Sequence, residues 1–155
     1  MQWWEENKRQ TARIALAIAM VVGVDIVARL ILRLAMPDSQ DDIIPGLIVD
    51  ACIATTIGVW AFFRARRALV STVAGEGFFV IAISMLLIAF IGPWVSGDGF
   101  GAPIGVMAGR CAVAALVLAV GGALGILTAV AFGIDPLSKA YHAHVERTRQ
   151  RPRRR

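Results

Sequence analysis

The sequence contains few of the residues from which metal sites and redox centres are built. It has two cysteines and two histidines, and charged residues make up only 17% of its 155 positions. A soluble domain is typically about one quarter charged. Cys52 and Cys111 form no C-x-x-C pair, and His142 and His144 have no Cys or Asp beside them. The sequence therefore predicts neither a zinc site nor a thioredoxin-like centre.

Motifs for catalysis are also missing. The sequence shows no Ser-His-Asp arrangement and no H-E-x-x-H motif. The glycine-rich segment 96–101 lacks the Lys-Ser/Thr ending of a phosphate-binding loop and follows an apolar run rather than a β-strand. We therefore predict a protein that is not an enzyme and that has no cofactor and no metal.

Long apolar runs dominate what is present. Hydrophobic residues make up 57% of the chain, and the mean hydropathy is +0.68. A helix needs roughly 20 apolar residues to cross a membrane core about 30 Å thick. The runs do not alternate with period 2, as transmembrane β-strands do. The sequence predicts an all-α, polytopic membrane protein, a left-handed four-helix bundle of residues 14–134 with spans at 14–36, 43–63, 70–92 and 103–134.

The charges of the loops are sorted by side. All Lys and Arg residues except Arg29, Arg33 and Arg110 lie before the first run, between the second and third runs, or after the fourth. The other two loops, 37–42 and 93–102, contain Asp but no Lys or Arg. Basic loops stay in the cytoplasm. We therefore predict a multi-pass protein of the cell inner membrane with both termini in the cytoplasm.

The two ends of the chain are predicted to lie at the cytoplasmic membrane surface. Residues 1–13 form an interfacial segment, and residues 135–155 a juxtamembrane helix followed by an arginine-rich tail. Asp135-Pro136 is typical of a helix start. Anionic lipid of the inner leaflet is the favoured partner of the tail, ahead of nucleic acid or an acidic protein. The predicted contacts are Arg147, Arg149, Arg151, Arg153, Arg154 and Arg155.

A small set of charged residues falls at membrane depth, in the half of the spans away from the basic loops. A charge at that depth costs at least ~2.5 kcal/mol on insertion scales and normally faces the bundle interior with a partner. Asp25 and Arg29 are spaced i, i+4 and so share one helix face. We predict an intramembrane network of two acids and two bases, formed by Asp25, Arg29, Asp50 and Arg110.

The predicted network has a structural and a functional interpretation. A role in fixing helix neighbours is favoured over a polar path for protons, ions or a charged solute, because the charges cluster in one half. Glu76 lies near the opposite end of the third run. It is either the continuation of such a path or a partner for an arginine of the preceding loop. Arg33 is expected to extend outward to the aspartates of loop 37–42.

The fourth run carries glycines at four-residue spacing. Small residues at this spacing let helix backbones approach each other closely. We predict that this span is the central packing helix, within one chain or between copies. At ~48 Å the run is longer than a membrane needs, so it tilts, breaks near Gly121-Gly122, or begins after Arg110. The glycines concerned are Gly101, Gly105, Gly109, Gly121 and Gly125.

The sequence predicts function only as a class. A partner-binding or assembly subunit, in contact with other membrane subunits or with copies of itself, is favoured because loops are short and packing signals are many. The alternative is a small oligomeric channel, a transporter or a holin-like pore former that uses Asp25, Asp50 and Glu76. A lipid-modifying membrane enzyme has the least support. The internal repeat of an inverted-repeat transporter is not evident.

Overall fold

The structure is a computed structural model that describes residues 2–35, 43–96 and 103–150. Within these ranges the protein is all-helical, with 93% helix and no strands. The helices are α1 (Gln2–Ala35), α2 (Ile43–Ala65), α3 (Val70–Ser96), α4 (Ile104–Ala131) and α5 (Pro136–Gln150).

The first four helices are long and apolar enough to cross a membrane, by length and composition. The predicted all-α class with four membrane-length helices is therefore confirmed. Their bounds fall close to the predicted spans, except that α1 begins at Gln2, within the predicted interfacial segment 1–13. No Gly or Pro occurs in that segment, so nothing in its sequence stops the helix from extending backward.

The four long helices form a ring in the order α1, α2, α4, α3. Each packs on two neighbours, and the most extensive contact is between α2 and α4. α1 and α3 run parallel, because Arg29 lies beside Gly92 and Arg33 contacts Val95. α2 and α4 also run parallel, since Ala54 meets Gly121 and Gly58 meets Gly125. Among the four long helices, the consecutive pairs α1–α2 and α3–α4 are therefore neighbours in the ring. The third consecutive pair, α2 and α3, makes only weak contact across the ring.

The middle of the bundle is an apolar core. Side chains from all four helices meet there and are at most 1% exposed. Large apolar side chains also cover the outside of the bundle, as expected for helices that face lipid. The largest core side chains are Val21, Ile53, Ile57, Val80 and Leu118.

Glycines allow α2 and α4 to touch backbone to backbone. A Cβ atom added at Gly125 would fall on the carbonyl oxygen of Gly58, and one added at Gly121 would fall on that of Ala54. A Cβ at Gly58 would lie 2.9 Å from the carbonyl oxygen of Gly121. Any larger side chain would push the helices apart. We call the half of the bundle that contains Gly58, Gly125 and Glu76 the packed half.

The other predicted packing glycines behave differently. A Cβ at Gly105 or Gly109 would meet nothing within 4 Å, so neither packs on a described part of this chain. Gly101 lies outside the described residues. α4 continues to Ala131 without a break near Gly121-Gly122, because the contact with α2 supports the helix at this point.

α5 begins where the sequence predicts a helix start. Gly133 has a positive φ of 63°, which turns the chain after α4. The Oδ2 atom of Asp135 then accepts hydrogen bonds from the N–H groups of Leu137 (3.1 Å) and Ser138 (3.2 Å), an N-cap for α5. Arg147 and Arg149 are exposed on α5, while the other four arginines of the predicted lipid contact lie outside the described residues.

Candidate functional site

A charged cavity of about 370 Å³ lies in the half of the bundle away from Glu76. α1 contributes Arg29, α2 contributes Asp50 and α4 contributes Arg110, while α3 supplies apolar side chains. Gly46 and Gly109 also line it, and a Cβ at either would meet nothing within 4 Å. Both positions thus have room for a side chain, unlike Gly58, Gly121 and Gly125. We call this half, which contains Asp25, the cavity and Gly109, the open half.

Asp25 lies next to the cavity wall and is paired with Arg29. The Nε atom of Arg29 donates to both carboxylate oxygens of Asp25, each at 3.0 Å. Asp25 is 1% exposed, whereas the side chain of Arg29 is 29% exposed. The four-residue spacing brings both side chains together on one helix turn. The pair offsets part of the cost of burying the carboxylate and leaves Arg29 accessible from the cavity.

Gly92 makes room for Arg29 between α1 and α3. A Cβ at Gly92 would lie 3.1 Å from the Cζ atom of the guanidinium and 3.2 Å from its Nε atom. The next residue, Pro93, lacks an N–H group and so leaves the carbonyl oxygen of Ala89 without its helical hydrogen bond. Ala89 and Pro93 both line the cavity. The Gly92-Pro93 pair therefore adds space and a polar backbone atom to the site.

Arg33 contacts the last turn of α3. Its Nη1 atom donates to the carbonyl oxygen of Val95 at 2.9 Å. Val95 lies in the last turn of α3, where carbonyl groups have no helical N–H partner. Arg33 thus ties the end of α1 to the end of α3. Its predicted partners, the aspartates of loop 37–42, lie outside the described residues.

Asp50 and Arg110 complete the charged lining. Asp50 is half-buried, and the positive charge of Arg29 acts on it as well as on Asp25. Arg110 faces the same cavity from α4. The four residues of the predicted network therefore lie around one cavity or directly behind it, and they come from three helices.

Glu76 does not belong to this cavity. Its Oε2 and Oε1 atoms accept hydrogen bonds from the Nε (2.6 Å) and Nη2 (2.7 Å) atoms of Arg64. Both side chains are largely buried, at 3% and 16% exposure. The pair joins α3 to α2 in the packed half, with the apolar core between it and Asp25. Within the described residues, Glu76 is thus a helix-linking partner of Arg64 rather than a continuation of the charged lining.

A buried hydroxyl that was not predicted from the sequence lies between the two charged groups. Ser84 is completely buried on α3, about 12 Å along the helix from Glu76. Its oxygen has no hydrogen-bond partner in the described structure. One isolated hydroxyl among apolar side chains does not connect the two groups by hydrogen bonds. A serine inside an apolar run gives too weak a signal to be selected from sequence alone.

No described residues form a group of three or more His, Cys, Asp or Glu side chains that could hold a metal ion. Cys52 and Cys111 are free thiols. The chain matches no protein-family model, no curated protein and no solved structure. Its class therefore rests on the fold: an all-helical protein whose four apolar helices are compatible with membrane insertion.

Proposed function

We propose that this chain is a non-enzymatic, multi-pass protein of the cell inner membrane that serves as a partner-binding or assembly subunit. The observation that carries the proposal is the position of its charges. Asp25–Arg29 and Glu76–Arg64 are paired within the chain at opposite ends of an apolar core. Charges used in this way stabilise a bundle and do not form a continuous polar path through it.

The open half of α4 supports binding of another membrane helix. Gly105 and Gly109 are exposed and meet no described side chain, whereas Gly121 and Gly125 of the same helix hold α2 in backbone contact. Membrane helices associate through small residues at this spacing. Gly109 also borders the charged cavity. A helix docked on this face would therefore bring its own polar side chains within reach of Arg110.

Affinity purification of the tagged full-length chain from its host membranes tests the proposal. We expect a membrane protein, or a second copy of the chain, to co-purify with it. Gly105→Leu/Gly109→Leu should reduce that yield at least about tenfold, because each leucine blocks close helix approach. Ala119→Leu/Ala123→Leu is the matched control, since both alanines are exposed at the same spacing on α4. Purification of an isolated monomer would contradict the proposal.

A small oligomeric channel or transporter is the second candidate. The cavity favours it, because Arg29, Asp50 and Arg110 could hold a small charged solute inside the open half. Vesicles with the reconstituted protein should then show ion or proton flux that Asp25→Asn or Asp50→Asn abolishes. Flux with these properties would replace the assembly proposal, and tight vesicles would remove the second candidate.

We further propose that the end of the bundle with Arg13, Arg64 and Arg67 faces the cytoplasm. The support is the positive-inside distribution of basic residues, which places this end and both termini on one side. A fluorescent protein fused to the C-terminus should fluoresce, and alkaline phosphatase fused there should be inactive. The reverse result would overturn the orientation.

A further inference from the structure

A second groove, of about 650 Å³, lies between α1 and α2 in the packed half. Three arginines line one end of this groove: Arg13 from α1, Arg64 from α2 and Arg67 from the turn that follows. No lining residue in the described structure is acidic. The remaining lining residues are Met20, Thr55, Thr56, Val59, Trp60 and Phe63.

Hydrogen bonds position two of the three arginines, Arg13 and Arg64, and the group carries net positive charge. The hydrogen bonds from Arg64 to Glu76 use its Nε and Nη2 atoms and fix the guanidinium. The Nε atom of Arg13 donates to the carbonyl oxygen of Arg9 at 3.0 Å, which aligns its side chain along α1. Glu76 compensates the charge of Arg64 alone. The groove thus presents at least the two positive charges of Arg13 and Arg67.

The groove has the polarity of a phospholipid. Thr55 lies nine residues before Arg64, so the groove extends roughly 13 Å along α2 from its charged end. Between the arginines and the two threonines at the far end, the groove is lined by apolar side chains such as Met20, Val59 and Phe63. Basic pockets between membrane helices at the cytoplasmic side bind anionic headgroups. A lipid phosphate would lie at the arginines and an acyl chain along the apolar side chains.

We propose that this groove binds one anionic phospholipid, with Arg13, Arg64 and Arg67 contacting its phosphate. The inference rests on the membrane insertion proposed above and does not require a protein partner. It is separate from the contact predicted for the arginine-rich tail, because none of the groove residues belongs to that tail.

Native mass spectrometry of the detergent-purified full chain tests the proposal. We expect one phosphatidylglycerol per chain to bind in preference to phosphatidylcholine. Arg13→Gln/Arg67→Gln should weaken phosphatidylglycerol binding roughly 10- to 30-fold, from the typical contribution of two arginines near an anionic surface. Both side chains are exposed, so the variant should fold normally.

Arg9→Gln/Arg66→Gln is the matched control. It removes the same charge from the same two segments, yet neither side chain lines the groove. The control should bind phosphatidylglycerol as the wild type does. An equal loss in both variants would overturn the site, since it would reflect general attraction between charges.

The same experiment would detect other occupants of the groove. Displacement of the lipid by inorganic phosphate at equal concentration would overturn the phospholipid assignment in favour of a free anion. A dimer that Arg13→Gln/Arg67→Gln dissociates would assign the groove to a second copy of the chain. Loss of partner co-purification in the earlier experiment would leave this lipid result unaffected, so the two proposals fail independently.

Trp60 gives a second measurement. In a Trp3→Phe/Trp4→Phe/Trp94→Phe background it is the single tryptophan, and it lines the groove. Phosphatidylglycerol with brominated acyl chains, as a minor component of phosphatidylcholine bilayers, should quench its fluorescence more than brominated phosphatidylcholine at the same fraction. Equal quenching by the two lipids would contradict a selective site.

Discussion

The packed half and the open half of this bundle use the same residue types in different ways. In the packed half, Gly121 and Gly125 bring the α4 backbone against α2. In the open half, Gly105 and Gly109 have the same spacing on the same helix and meet nothing within 4 Å. The four-residue spacing of glycines therefore indicates only that another helix can approach closely. Whether one does depends on the position of the neighbouring helix.

The acid–arginine pairs of the two halves also differ, because one joins two helices and the other does not. Glu76 and Arg64 join two helices, whereas Asp25 and Arg29 lie one turn apart on a single helix beside a cavity. The first pair can fix which helices are neighbours. The second neutralises a buried carboxylate and positions a guanidinium at the cavity, without linking α1 to another helix.

The largest predicted effect separates these two pairs. Glu76→Gln should lower the free energy of unfolding by about 3 kcal/mol, because it leaves Arg64 charged, largely buried and without its carboxylate. Asp25→Asn should cost about 1 kcal/mol or less, since Arg29 is partly exposed to the cavity. Equilibrium unfolding in mixed detergent micelles measures both. Equal losses of unfolding free energy would mean that the two pairs contribute equally to the stability of the fold.

A smaller effect is expected for the two glycine pairs. Gly125→Ala should destabilise the protein by about 2 kcal/mol, because the added methyl group would overlap the carbonyl oxygen of Gly58. Gly109→Ala is the matched change in the open half and should alter stability by less than about 0.5 kcal/mol. The same unfolding measurement applies. A stable Gly125→Ala variant would show that α2 and α4 are not in backbone contact.

Water access gives a third comparison, along one face of α4. Ala114, at 5% exposure, lies where the apolar core meets the cavity, whereas Leu118, one turn further on, is fully buried in the core. In a Cys52→Ala/Cys111→Ser background, Ala114→Cys should react with a small charged thiol reagent at least about tenfold faster than Leu118→Cys, because thiolates form only where water reaches. Equal rates would contradict the boundary between the cavity and the core.

Features that depend on residues close in sequence were within reach of prediction. The four apolar runs form four long helices, as expected for segments that would have to satisfy their own backbone hydrogen bonds in lipid. The contact of Asp25 with Arg29 follows from their i, i+4 spacing. The start of α5 follows from the side chain of Asp135.

Features that depend on which helices are neighbours could not be predicted from the sequence. Nothing in the sequence selected the α2 face of Ala54 and Gly58, although its four-residue spacing of small residues is a usable signal. The preference of Glu76 for Arg64 over the other arginines of its loop also needed the fold. The hydrogen bond from Arg33 to the carbonyl oxygen of Val95 also depends on the fold, because the parallel packing of α1 on α3 brings Val95 close.

The sequence by itself determined the class of this protein, the number of its long helices and the charges that enter them. Only the tertiary structure decided the ring order of the helices, which glycines pack, and that the charges gather around a cavity at one end and a buried pair at the other. The physical reason is that nearly every face of these helices is apolar. Hydropathy therefore predicts which segments form long helices, whereas the packing of side chains and a few polar contacts determine which helices are neighbours.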